Sequence, residues 1–262
     1  RTPLVREDFA ISCHFTIPLG HSITAGHYPG APVIAGTLLL EAALQALEAE
    51  ANVSGVCVAL RGIEQLQLLR PVRPGDELEL RLQPAADDPD DRTARRWRMS
   101  MSVAGKAVAR AQIDVAAKTA VPDPGSRWAI TADWIQLSPQ EIARSLPHRA
   151  PWLLVDRAWL APNGEQLVAS RTVSMADACY ALVPPTPSSA ALAFPALVTT
   201  ESFAQAAGLL LGGSVNRPSG VLLLGGVRRI VYFGQAQPGD ALVHQVQLRR
   251  RFGEAALLSG GT

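Results

Sequence analysis

An internal repeat restricts this chain more than any other feature. TLLLEAALQA (37–46) and LVTTESFAQA (197–206) each place Glu-x-x-x-Gln inside an apolar run with helical spacing. Glu41 matches Glu201 and Gln45 matches Gln205, both at an offset of 160 residues. Further on, RPVRPGDELEL (70–80) is echoed by GQAQPGDALVH (234–244), with Pro74-Gly75-Asp76 and Pro238-Gly239-Asp240 at an offset of 164. Two different motifs that recur in one order, at nearly one offset, point to duplication with a four-residue insertion or deletion between them. Such a chain is expected to fold as two copies of one unit.

Each copy has the same coarse order. A loop leads into an apolar helix, over 36–50 and again over 196–211. Strand-like runs follow at 56–69, 76–84, 96–104 and 107–117 in the first half, and at 220–233 and 240–252 in the second. The Pro-Gly-Asp triplets read as turns between strands, with glycine free to take positive φ. DDPDDRT (87–93) reads as a solvated loop tip, and VPDPGS (121–126) as a linker between an N-terminal unit (1–120) and a C-terminal unit (127–262). One helix with several long antiparallel strands, twice over, predicts an α+β architecture in which a sheet wraps a helix. The first half has a short lead-in before its helix and the second stops at LLSGGT, so further residues are expected beyond one or both ends.

Composition narrows the functional classes. The chain is 48% apolar and 18% charged, with a net charge of +1, which fits a soluble globular protein and makes no demand for nucleic acid or a lipid surface. No apolar run approaches the roughly 18–20 residues of a membrane span, and no signal segment opens the sequence. Cys13, Cys57 and Cys179 are scattered, odd in number and without metal-ligand spacing, so a reduced, cytoplasmic setting is expected. Cys57 and Cys179 read as small apolar fillers, His14 and His21 as structural, and His148 as packing the segment that leads into the second half.

Three stretches carry a resemblance to a known family. LPHRAPWLLVDR (146–157) resembles the opening signature of the (3R)-hydroxyacyl-acyl-carrier-protein dehydratases. GHYPGAPVIAGTLLLEAALQ (26–45) resembles that family's active-site block, and RPVRPGDELEL the turn after it. The resemblance implies the hotdog fold, a long helix wrapped by an antiparallel sheet. In two copies it implies a double hotdog similar to the dehydratase domains of polyketide and polyunsaturated-fatty-acid synthases. That arrangement is an internal pseudo-dimer, alone or within a larger homo-oligomer. The family draws its histidine from one hotdog and its acid from the other. His27 precedes Glu41 by 14 residues, the family's spacing, whereas 14 residues before Glu201 stands Pro187. One complete site is therefore implied, His27 with Glu201, beside a dead counterpart of Glu41 and Pro187.

The same resemblance implies the chemistry. His27 is the base for the α-proton of a 3-hydroxyacyl thioester, and Glu201, its pKa raised by desolvation, is the acid for the departing hydroxyl. Gly36 offers a backbone N–H at a helix start to the thioester oxygen. Gln205, one turn beyond Glu201, orients the carboxyl, and with Tyr28 and Pro32 it lines the substrate site. No metal and no cofactor are implied beyond the phosphopantetheine arm of an acyl carrier protein, the expected partner. Arg228-Arg229 and Arg249-Arg250-Arg251 read either as its landing surface or as solvated strand faces. Ala35 stands where the family usually has proline, Ala196 replaces the helix-start glycine of the second copy, and Glu201 replaces the Asp of the isomerising branch. A hotdog thioesterase, or a non-catalytic acyl-binding or assembly subunit, remains open as an alternative.

Overall fold

A computed structural model describes residues 5–7, 10–20, 24, 26–53, 58–86, 94–117, 128–181, 191–212 and 222–262. They fall into two compact units, one of 1–24, 32–123 and 224–234, the other of 25–31, 124–223 and 235–262. The loop tip 87–93, the linker 121–126, Cys57, His21 and Pro187 lie outside the described residues.

In the first unit β1 (Val5–Glu7), β2 (Ala10–Thr16), α1 (Gly36–Val53), β3 (Val58–Leu68), β4 (Glu77–Pro84), β5 (Ala94–Val103) and β6 (Lys106–Ala117) follow one another. The strands form one antiparallel sheet in the order β1-β2-β4-β5-β6-β3. In β4 the period-two alternation is complete: Leu78, Leu80 and Leu82 are buried while Glu77, Glu79 and Arg81 face out. Gly36 opens α1 against β3, and a Cβ there would fall 2.3 Å from Cδ1 of Leu68. Close packing therefore gives this glycine a structural reason as well as the expected chemical one.

The second unit runs β7 (Ile135–Leu137), α2 (Pro139–Ser145), β8 (Arg157–Leu160), β9 (Gln166–Thr172) and α3 (Ala196–Gly212). Next comes β10 (Gly226–Val231), which pairs antiparallel with β3 and extends the first unit's sheet. The strand expected at 220–233 is thus shorter and belongs to the other unit. Gly226 permits the approach, since a Cβ there would stand 2.5 Å from the carbonyl oxygen of Leu66. β11 (Ala241–Phe252) and β12 (Ala255–Gly261) complete a second antiparallel sheet, β12-β11-β9-β8-β7. Ala206, Leu209 and Leu210 of α3 pack with Ile142 of α2 over Ala158, Leu167, Ala169 and Val246. Alanine at 158 and 169 gives the helix room on the sheet.

The duplication persists down to single hydrogen bonds. Ile11 of β2 faces Leu82 of β4, and Leu167 of β9 faces Val246 of β11, the same register at offsets of 156 and 164. In the first turn Asp76 donates its N–H to the Arg73 carbonyl (3.1 Å) and accepts the Arg73 N–H on its carboxylate (2.7 Å). Asp240 does the same with Gln237, at 3.0 and 2.8 Å. Gly75 and Gly239 take φ of +94° and +99°, the third position of a type II turn.

Behind α3 lies a buried polar chain. The Ser202 hydroxyl donates to the Leu154 carbonyl (2.5 Å), so its oxygen accepts from Nε2–H of His244 (2.7 Å). Nδ1 of His244 then accepts from the Thr262 hydroxyl (2.8 Å). The imidazole is neutral: burial, and secondarily the charge of Arg171, push its pKa down to about 4. Because the unfolded chain takes up this proton near pH 6.5 and the folded one does not, stability is complete above that pH. It should fall by up to about 3 kcal/mol as pH drops from about 6.5 to 4. Urea unfolding across this range checks the point, and His244→Gln should flatten that part of the profile.

Candidate active site

The second unit gathers the side chains of interest from three separated segments. α2 delivers the first. Ser138 caps it, accepting the Glu141 N–H (3.3 Å) while Glu141 accepts the Ser138 N–H (2.7 Å), and Pro139 sits at the first helical position. The chain leaves α2 at Leu146 and reaches His148. The Arg149 guanidinium donates back to the carbonyls of Leu146 (2.9 Å) and His148 (2.6 Å), which fixes this bend.

Residues 25–31 supply the second segment. The Arg149 N–H donates to the Gly26 carbonyl at 2.7 Å. Gly26 has φ +84°, and a Cβ on it would lie 2.1 Å from the Arg149 carbonyl oxygen. Glycine is thus required twice over, for conformation and for space. His27 follows directly, 6% exposed. Tyr28, at φ +54°, donates its hydroxyl to the Leu222 carbonyl (2.5 Å). Burial, and then the charge of Glu201, push that phenol up to about 12, so it stays a donor.

The third segment is α3. Glu201 is 6% exposed, and its carboxyl is placed by a side-chain clamp. Gln205 donates Nε2–H to the Trp152 carbonyl (2.7 Å), accepts the Leu154 N–H on Oε1 (2.8 Å), and sets Nε2 3.4 Å from Oε1 of Glu201. The amide expected to orient Glu201 does contact it, and both of its ends are committed to protein groups.

These segments meet around one carboxyl oxygen. Oε1 of Glu201 lies 3.9 Å from Nε2 of His27 and 3.5 Å from Nε2 of His148. The rings of His27, Tyr28 and His148 pack on one another with centroids 4.7, 5.0 and 5.3 Å apart. His27, Tyr28, Glu201 and Gln205 therefore stand together, whereas Gly36 and Pro32 belong to the first unit.

His148 corrects its sequence reading. Expected to pack the lead-in segment, it presents a buried ring nitrogen to Glu201. Its place inside LPHR marked it as noteworthy, but nothing in the sequence links it to a glutamate 53 positions later. Nδ1 of His148 is buried with no hydrogen-bond partner among the described residues. An unpaired acceptor there is less costly than an unpaired N–H, so the proton belongs on Nε2, toward Glu201. Cys179, expected as an apolar filler, is instead exposed in the turn Ala178–Tyr180. Although the residue is exposed, partial desolvation of its sulfur, and then the charge of Asp177, push the thiol up to about 11.

In the first unit α1 repeats the pairing on its own, with Gln45 Nε2 donating to Glu41 Oε1 at 3.1 Å. Burial raises the Glu41 pKa, and the Gln45 contact partly offsets it. Glu41 is less buried than Glu201.

Comparison with known proteins matches the fold. A family model described as ApeI-like, ApeI dehydratase, fits residues 5–109. The 3-hydroxyacyl-[acyl-carrier-protein] dehydratase FabZ of Coxiella burnetii is 31% identical over 112 residues, which cover 41% of this chain and 75% of that protein. The FabZ of Campylobacter fetus is 28% identical over 130 residues, covering 46% and 82%. Among solved structures, the dehydratase domain of RzxB from Pseudomonas fluorescens superposes with a TM-score of 0.66 at 13% identity, over 97% of this chain and 89% of that one. The dehydratase domain from the CurJ module of the curacin polyketide synthase gives 0.60 at 9%, over 96% and 85%. The fold is the α+β double hotdog.

Two substitutions test the framework. Gln205→Ala leaves the Leu154 N–H and Trp152 carbonyl unpaired and should cost about 2–5 kcal/mol in urea unfolding. Gly26→Ala forces a Cβ into backbone and should displace the His27 loop, at a cost of about 1–3 kcal/mol for the conformation alone.

Proposed function

The chain belongs to the FabZ family of 3-hydroxyacyl-[acyl-carrier-protein] dehydratases, and we propose that it removes water from a (3R)-hydroxyacyl thioester carried on the phosphopantetheine of an acyl carrier protein. The observation that carries this reading is a buried imidazole and a buried carboxyl 3.9 Å apart, contributed by the two copies of the repeat. The α-carbon and the β-oxygen of the substrate are two bonds apart, so base and acid must stand side by side.

In the reaction His27 takes the α-proton on its unprotonated ring nitrogen, and the released electron pair forms the C2–C3 double bond. The C3–O bond breaks as Glu201, in its protonated form, delivers a proton to the leaving oxygen. Water and the trans-2-enoyl thioester result, leaving an imidazolium beside a carboxylate. One proton transfer from His27 to Glu201 restores both groups, and their separation suits it. Gly36 is the proposed donor to the thioester oxygen as negative charge gathers there. His148 and Gln205 act through Glu201, as positioning residues. Tyr28 and Pro32 are the proposed contacts of the acyl group.

Carrier-protein delivery is supported by the family and by exposed arginines. Arg228 and Arg229 are exposed on β10, as are Arg249, Arg250 and Arg251 on β11. Some of this charge has other duties: Arg229 lies 3.5 Å from Glu64, Arg249 donates to Ser259, and Arg250 stacks over Phe252. Among the described residues no helix is long and apolar enough to cross a membrane.

Mass spectrometry of a 3-hydroxyacyl carrier protein incubated with the chain tests the proposal. Wild type and Glu41→Gln should give the dehydrated acyl group, whereas His27→Ala and Glu201→Gln should slow its formation by about 100-fold or more. Release of free acid would make the protein a thioesterase, and an unchanged substrate would leave it an acyl-binding subunit.

A further inference from the structure

The cluster around Glu201 has a property that elimination does not need. His27, His148 and Glu201 each offer a ligating atom, all within 4.8 Å of one another and all on buried side chains. Two imidazoles and one carboxylate form a donor set well suited to a divalent ion of intermediate softness such as Zn²⁺. Bonds of 2.0–2.2 Å in a tetrahedral site put neighbouring donor atoms about 3.4 Å apart. The His148–Glu201 pair already stands at 3.5 Å and the His27–Glu201 pair at 3.9 Å. The donor atoms of His27 and His148, at most 4.8 Å apart, close by up to about 1.4 Å to complete the three-ligand arrangement, with a fourth position left for water.

Two observations set this cluster apart from a chance grouping. Gln205 already holds the carboxyl by the same oxygen, as outer partners of metal ligands do. His148 is 6% exposed, its Nδ1 lacks a partner among the described residues, and its polar contact is made through Nε2, the nitrogen that faces Glu201. To ligate through Nε2 the ring shifts its proton to Nδ1, and the metal bond has to offset that buried, unpaired N–H.

We propose that the site binds one Zn²⁺ or similar ion through His27, His148 and Glu201, and that the ion inhibits the enzyme. Coordination occupies the lone pair with which His27 would take the α-proton. The proton on Nε2 of His148 moves to Nδ1 and any proton on Glu201 is released to solvent, so the acid has nothing to deliver. No bond in the substrate changes; the metal competes with catalysis for the same atoms. The inhibitory half of the proposal rests on the dehydratase reading, and the binding half does not.

The test separates the two halves. Metal-free protein is titrated with Co²⁺, followed by its d–d absorption, and with Zn²⁺ by equilibrium dialysis, while dehydration is assayed with and without a chelator. The expected result is one ion per chain, with binding weakened more than about 10-fold in His148→Ala and in Glu201→Gln. His14→Ala, on the exposed face of β2, should bind as wild type does. Turnover of wild type should fall as the ion binds and return with chelator. Absence of Co²⁺ and Zn²⁺ binding, or binding indifferent to His148→Ala, would overturn the site. Saturation of these three residues with turnover undiminished would overturn the inhibition and, with it, the roles given to His27 and Glu201. A chain that binds the ion but shows no turnover would uphold the site and reject the dehydratase reading.

Discussion

A carboxyl group buried in an apolar helix has to be given partners, and most of the second unit's polar architecture does so for Glu201. Burying a charge or an unpaired polar group costs several kcal/mol, about as much as a domain's whole margin of stability can absorb. Here the cost is spread over a frame. Gln205 ties the carboxyl to the backbone at Trp152 and Leu154, and Ser202, the residue after Glu201, ties Leu154 again. Arg149 then ties that segment to Gly26, and so to His27. The distance between His27 and Glu201 is thus set by backbone hydrogen bonds and by two facing residues of α3, with little left to side-chain flexibility. Such a frame is what a base and an acid need if they are to act on atoms two bonds apart.

The two copies show how a duplicated scaffold diverges. Strand register, the Pro-Gly-Asp turns and the Glu-x-x-x-Gln contact are common to both, because each serves folding. The differences lie in what surrounds the carboxyl. Glu201 has two imidazoles within 4 Å. Glu41 shares α1 with Glu48, whose pKa is raised by its own burial and then by Glu41. One carboxyl stands beside two imidazoles and the other beside a second carboxyl, on helices that share Glu-x-x-x-Gln.

Much of this was legible before any coordinates. The long helices α1 and α3 followed from apolar periodicity, the turns from Pro-Gly-Asp, and β4 from its Leu/charged alternation, since these are local patterns with local causes; the short α2 was not foreseen. His27 and Glu201 were legible only through the family resemblance, which implies a histidine from one copy and an acid from the other; the repeat then left one complete pairing. His148 and the Gln205 clamp were not. Both join residues more than 50 positions apart, and the clamp depends on backbone groups of Trp152 and Leu154, whose side chains carry no signal of it. The placement of β10 was missed for a related reason: which sheet a strand joins is decided by pairing with β3, and its own residues do not state it.

The central claim is that His27 and Glu201 form one working pair. A double-mutant cycle in dehydration rate tests it most directly, using His27→Ala, Glu201→Gln and the double variant, each shown to be folded. Groups that act as a unit are strongly non-additive. The account predicts that the double variant is no slower, within a few-fold, than the worse single variant. Losses that multiply would mean that the two residues act independently, and would contradict it.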